Sequence, residues 1–136
     1  MKPERIDLQG VSSVGDLIAR ILQTRLREAR SLAPGLDGED KQSLHDFRIA
    51  CKRLRYALER FEALEPPFAK AADCLARLQD ALGEAHDRDV LLTILPPSMA
   101  TTERTLKNER QACVDRAGTL WLELQQIMQT LDSHRI

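Results

Sequence analysis

The chain has 136 residues, of which 43% are hydrophobic, only 4% aromatic and 30% charged. That length suits one domain, and the apolar share supports a largely aliphatic core, which excludes wholesale disorder. The 20 Lys and Arg stand against 21 Asp and Glu, so the global basic excess of a nonspecific nucleic-acid binder is absent. Attraction for a polyanion has to come from local segregation of charge.

Cys51, Cys74 and Cys113 lie far apart, with no Cys-x-x-Cys pair. An odd count without close spacing argues against a disulfide framework or a zinc site, and suits small core fillers in a reducing compartment. No apolar run approaches the ~20 residues that span a bilayer. Met1-Lys2-Pro3-Glu4-Arg5 leads into no signal-peptide core. The expectation is a cytoplasmic protein with no membrane association, no metal and no cofactor.

Glycine and proline interrupt the chain at Pro34-Gly35 through Gly38, at Pro66-Pro67 and at Pro96-Pro97. Between these breaks the apolar spacing is helical, and no stretch alternates as a strand does. The expected fold is all-α, with one domain over residues 1–136 and helices at about 12–33, 41–64, 67–95 and 98–132. Short connections favour an antiparallel four-helix bundle.

In the first helix, Ser12 or Ser13 can act as cap, with Asp16 near the positive end. Its apolar stripe of Val14, Ile18, Ile21 and Ala29 has Arg25 in the middle. An inward Arg is costly unless it meets an anion, so Arg25 faces a ligand, pairs with an internal carboxylate or snorkels to the bundle end.

The second helix has two opposed faces. Phe47, Ala50, Cys51, Leu54, Leu58 and Phe61 cluster on one side, and Lys41, His45, Arg48, Lys52 and Arg55 fall within an arc of roughly 80° on the other. The cations are spaced four, three, four and three, a stripe about 21 Å long. Residues 41–56 hold a net charge of +4, leaving −5 for the rest of the chain. Most charged stripes are simply solvated faces, but those usually mix signs at i, i+4. Here like charges stack until Glu59, which favours a site for an anion.

Pro67 suits the first turn of the third helix. Its apolar stripe is Leu75, Leu78, Leu82 and Ala85, extended by Asp89 and flanked by Gln79, Gly83 and His86. Mid-helix Gly83 costs about 1 kcal/mol relative to Ala, and the expected return is close approach of a neighbouring helix. Gln79 and Asp89 read as buried hydrogen-bond partners rather than catalytic groups. Ser98, or alternatively Thr101 or Thr102, can cap the fourth helix. That helix has an ordinary core stripe of Leu106, Cys113, Ala117, Leu120, Leu124, Ile127 and Leu131, with Trp121 and Met128 beside it. Arg110 lies next to this stripe and poses the same choice as Arg25: it faces a ligand, pairs with an internal carboxylate such as Asp89, or snorkels to the bundle end.

The string His45-Asp46-Phe47-Arg48-Ile49-Ala50-Cys51-Lys52-Arg53-Leu54-Arg55-Tyr56 resembles the signature helix of the CHAD family, the conserved histidine α-helical domain. Leu78-Gln79-Asp80-Ala81-Leu82-Gly83 with His86-Asp87 resembles that family's second motif, and the two cover residues ~41–95. The resemblance implies a helical module that binds inorganic polyphosphate without hydrolysing it. Carried over by position, the ligand-facing set is His45, Arg48, Lys52, Arg53 and Arg55, with Lys41, Arg25 and Arg77 as weaker candidates. Arg53 lies off the main stripe, so it reaches phosphate from a flank or serves packing. Arg forks pair bidentately with phosphate oxygens and Lys supplies point charge. The resemblance also implies association with polyphosphate granules.

The family domain is usually about twice this length, built from two related helical halves, and this chain has one copy of each motif. A homodimer is therefore expected to supply the second copy. Ile49 and Tyr56, seven apart beside the cations, are interface candidates, unless they pack within their own chain. Two other functions stay open. One is a scaffold bundle docking an acidic protein partner. The other is a metal-dependent phosphohydrolase of the HD type, using His45, His86-Asp87 and Asp115 or Asp132, although a cationic stripe would repel its metal. No specific nucleic-acid partner is expected.

Overall fold

The structure is a computed structural model that describes residues 2–133. Its helices are α1 (Val14–Leu32), α2 (Lys41–Phe61), α3 (Phe68–Ile94) and α4 (Ala100–Ser133), with a short 3-10 turn at Ala33–Leu36. The fold is an all-α, antiparallel four-helix bundle.

Local chemistry sets the helix ends. Ser13 caps α1: its backbone is extended and its hydroxyl accepts from the Asp16 N–H at 3.0 Å. Asp16 in turn accepts from the Ser12 hydroxyl and N–H, which hold its carboxyl below the usual carboxylate range. Asp40 caps α2, accepting from the Ser43 hydroxyl at 2.7 Å and the Gln42 N–H at 3.2 Å, and is likewise held ionised. Helix α2 stops at Phe61 rather than 64, because the Phe61 carbonyl accepts from the N–H groups of Leu64 and Glu65 in a turn ahead of Pro66-Pro67. Pro67 is the N-cap of α3 rather than a first-turn residue. Helix α4 begins at Ala100, so Thr101 and Thr102 lie inside it, and the Met99 carbonyl accepts from Glu103 N–H.

Between α1 and α2, Gly35 packs on the first turn of α2. A Cβ there would lie 2.7 Å from the Ser43 carbonyl oxygen, so only glycine fits this backbone approach.

The core is aliphatic, as the scarcity of aromatics requires. Phe47, Leu54, Leu58, Leu75, Leu78, Leu82 and Leu124 have almost no exposed surface. One aromatic contact crosses the bundle diagonal: Phe47 of α2 and Trp121 of α4 meet edge to face, with centroids 5.1 Å apart. Cys51 and Cys74 are buried and Cys113 half-buried, all with free thiols that burial pushes upward in pKa. On α4 the buried stripe starts at Val114, and Leu106 and Cys113 are only half-buried.

Helix α3 packs along both α2 and α4, and α1 packs on α2, whereas α1 and α4 make no close backbone approach. Side chains bridge that seam, as in the 2.9 Å bond from Arg30 Nε to Gln125 Oε1. Among the described residues, no helix is long and apolar enough to cross a membrane.

Leu54 is fully buried at the centre of α2. Truncation of Leu54 to Ala should destabilise the fold by about 2–5 kcal/mol, read as a lowered midpoint in urea unfolding followed by circular dichroism.

Candidate anion-binding site

The buried residues of α2 are Leu44, Phe47, Ala50, Cys51, Leu54 and Leu58. Anchoring these turns the opposite face outward. Lys41, His45 and Lys52 are exposed, and Arg48 and Arg55 are half-buried against the neighbouring surface.

Two contacts fix what lies beside that row. The His45 and His86 rings sit 6.2 Å apart, centroid to centroid. The Arg48 guanidinium lies over Gly83, with Nη2 3.7 Å from where a Cβ would stand. These contacts define an antiparallel register in which Lys41 is level with Val90, and Lys52 with Gln79. The lane between the helices thus has cations along α2 and Gln79, Gly83 and His86, at i, i+4 and i+7, along α3. The close neighbour of Gly83 is therefore the Arg48 side chain of the neighbouring helix α2. Gln79 Oε1 is buried with no hydrogen-bond partner among the described residues.

The other candidate cations are engaged elsewhere. Buried Glu28 gathers Arg25 of its own helix at 3.6 Å, Arg53 of α2 at 3.7 Å and the Glu4 N–H at 2.7 Å. Arg25 also donates to the Glu4 carbonyl. Arg110 meets Asp89 at 2.6 Å, and Asp89 is itself buried. Arg77 lies on the α3–α4 side, exposed, pairing with Asp73 at 3.4 Å and Glu123 at 3.5 Å. Arg55 is shared between the lane and Glu59, 3.3 Å away, and its guanidinium lies 5.2 Å from the centre of the Tyr56 ring. Lys52 Nζ lies 5.7 Å from the same ring.

Arg48 differs from every other half-buried cation. Among the described residues, Arg20, Arg25, Arg53, Arg55, Arg88 and Arg110 are half-buried, and each has a carboxylate within 4.0 Å. Arg48 has none. Asp46, the one acid of residues 41–56, is tied to the Gln42 amide at 3.0 Å. Asp80 and Asp87 border the α3 side and make no ion pair within 4.0 Å among the described residues. A partly desolvated guanidinium without a counter-charge is poised for an external anion.

At the start of α2 the lane opens into a cavity of about 340 Å³, lined by Lys41, Gln42, Leu44, His45, Leu82, His86, Asp89, Val90 and Thr93. The histidines come together here, but the acids of the phosphohydrolase alternative do not join them. Asp115 and Asp132 line separate grooves on the α1–α4 side. Among the described residues no group of three or more His, Cys, Asp or Glu is placed to hold a metal ion.

The profile of the CHAD domain matches residues 3–96, more than half the chain, and the protein belongs to that family. Helix α4 lies beyond the matched range. The family is a non-catalytic one, and membership points to a polyanion- or phosphate-binding role. Comparison with curated proteins and with solved structures yields no match.

His86, Gly83 and Gln79 were not in the ligand set drawn from the first motif. Their common face was visible only as spacing within α3, and pairing with α2 gave it a partner.

Two substitutions separate structural from unengaged charge. Glu28→Ala should cost about 1–3 kcal/mol by stranding Arg25 and Arg53. Arg48→Ala should leave stability within about 0.5 kcal/mol. Chemical denaturation of both variants checks the contrast.

Proposed function

We propose that this protein binds inorganic polyphosphate, without hydrolysing it, along the lane between α2 and α3. The observation that carries this reading is Arg48, half-buried and without a carboxylate within 4.0 Å among the described residues, in line with Lys41, His45 and Lys52. Those four form the proposed contact set. Arg55 extends it when Glu59 releases the guanidinium to a competing anion. Arg25 and Arg53 act through Glu28, which holds α1 to α2, and Arg77 serves the α3–α4 packing. A flexible chain with about one charge per phosphate needs no sequence readout, only cations at regular intervals on a rigid support, and a helix supplies that. Association with polyphosphate granules follows from the same reading.

Arg48→Ala and Lys52→Ala should each weaken polyphosphate binding several-fold or more, since a charge-assisted contact contributes about 1.5–3 kcal/mol. Affinity should fall steeply from low to physiological ionic strength. Titration with polyphosphates of defined length at several salt concentrations tests both. Salt-indifferent binding, steady release of phosphate, or displacement by acidic peptides in preference to polyphosphate would each overturn the proposal.

We further propose a homodimer in which two lanes come together. Tyr56 is 49% exposed beside Lys52 and Arg55, leaving an aromatic surface at the end of the cationic row, with half-buried Ile49 two turns away. Juxtaposed cationic rows repel, so polyphosphate should strengthen the pair by mass action. Sedimentation should show a dimer that tightens with added polyphosphate and weakens in Tyr56→Ala. A strict monomer under both conditions would refute it.

A further inference from the structure

We infer that the cavity at the start of α2 accepts a flat, amino-bearing ring, so that the small ligand this site prefers is a nucleoside polyphosphate. The inference rests on the anion lane proposed above and concerns what lies at its end.

Inorganic phosphate cannot explain the cavity. Its walls include the apolar side chains of Leu44, Leu82 and Val90, against which a phosphate would lose hydration without gaining partners. Its lining also includes the carboxylate of Asp89, a residue only 7% exposed. One oxygen of that carboxylate is held by Arg110 at 2.6 Å, but a carboxylate accepts more than one hydrogen bond. Arg110 balances the carboxylate charge, and the other oxygen can accept from an N–H donor. Gln42 commits its amide nitrogen to Asp46, so its oxygen is a second acceptor in the lining.

Polarity reverses at the mouth. Lys41, His45 and His86 stand there, and Arg48 over Gly83 continues outward. The volume of about 340 Å³ lies at the lower end of the roughly 300–1,000 Å³ typical of small-molecule sites. A ligand complementary to the whole arrangement has an apolar ring with N–H donors at one end and a short run of phosphates at the other. A purine nucleoside triphosphate has that form. With its ring in the cavity against Val90, its phosphates follow the row from His45 through Arg48 toward Lys52, about 10 Å along the helix.

Charge alone makes the opposite forecast, which is what makes the inference testable. Inorganic tripolyphosphate carries at least as much negative charge as ATP, so a purely electrostatic lane binds it at least as well. Calorimetric titration of the intact protein without divalent metal should instead show ATP binding about tenfold more tightly than tripolyphosphate, equivalent to about 1.4 kcal/mol. Val90 is 47% exposed, so Val90→Trp can fill the cavity from its apolar wall without entering the core. It should abolish the advantage of ATP while changing the affinity for long-chain polyphosphate by less than about twofold. Thr93→Trp, at another exposed lining position, should do the same, and retained helicity and melting temperature certify both folds. Equal affinities for ATP and tripolyphosphate, with long-chain binding intact, would overturn the cavity assignment and leave the polyphosphate reading standing. An ATP advantage that survives both tryptophans would also overturn it. Failure of every phosphate ligand to bind would overturn both readings together.

Discussion

Helix α2 cannot rotate about its own axis, and most of what is distinctive about this protein follows from that. Phe47, Ala50, Cys51, Leu54 and Leu58 have no measurable exposure, and Phe47 is further held by the edge of Trp121 across the bundle. Each large apolar side chain contributes about 1.5–3 kcal/mol when fully buried. A like-charge neighbour at i, i+4 costs only a few tenths of a kcal/mol. The core term is larger by an order of magnitude over the whole helix. Lys41, His45, Arg48 and Lys52 therefore stay in one row, whatever their mutual repulsion. The cationic face is imposed by the apolar one.

The surrounding helices then sort the arginines. Glu28 illustrates how: a single buried carboxylate on α1 draws in Arg25 and Arg53 and accepts from the Glu4 N–H. In a partly desolvated setting, charge pairs matter more than they do in water. Asp89 does the same for Arg110 between α3 and α4. These pairs stitch neighbouring helices together and use up positive charge that would otherwise face outward. Arg48 is left over: the α3 residue beside its guanidinium is Gly83, which offers no carboxylate. The glycine lowers the helical propensity of α3.

The lane is not uniform along its length. Toward Tyr56 it is cationic and aromatic, and toward Lys41 it opens into a cavity with an acid and three apolar side chains in its lining. That polarity distinguishes an end from a middle, which a row of identical cations could not do. The placement follows from the antiparallel pairing of α2 and α3, which brings the start of one helix against the end of the other.

Much of this was legible in the residue order. Heptad-like apolar spacing defined four helices and the inward face of α2, since helical period alone decides which side chains share a side. The CHAD-like strings were readable at the same level, as was the availability of Asp89 to Arg110. Helix ends were less so, because Phe61, Pro66 and Met99 act through turn hydrogen bonds that involve backbone carbonyls rather than side-chain types. Sequence could place Arg48, Lys52, Arg53 and Arg55 on a basic helix, but not say which had counter-charges. Arg53 and Arg48 are five residues apart on one helix, yet one meets Glu28 and the other lies over a glycine. That difference belongs to the helices on either side of α2. Pairing depends on distances between segments far apart in the chain, and only the packed bundle sets those distances.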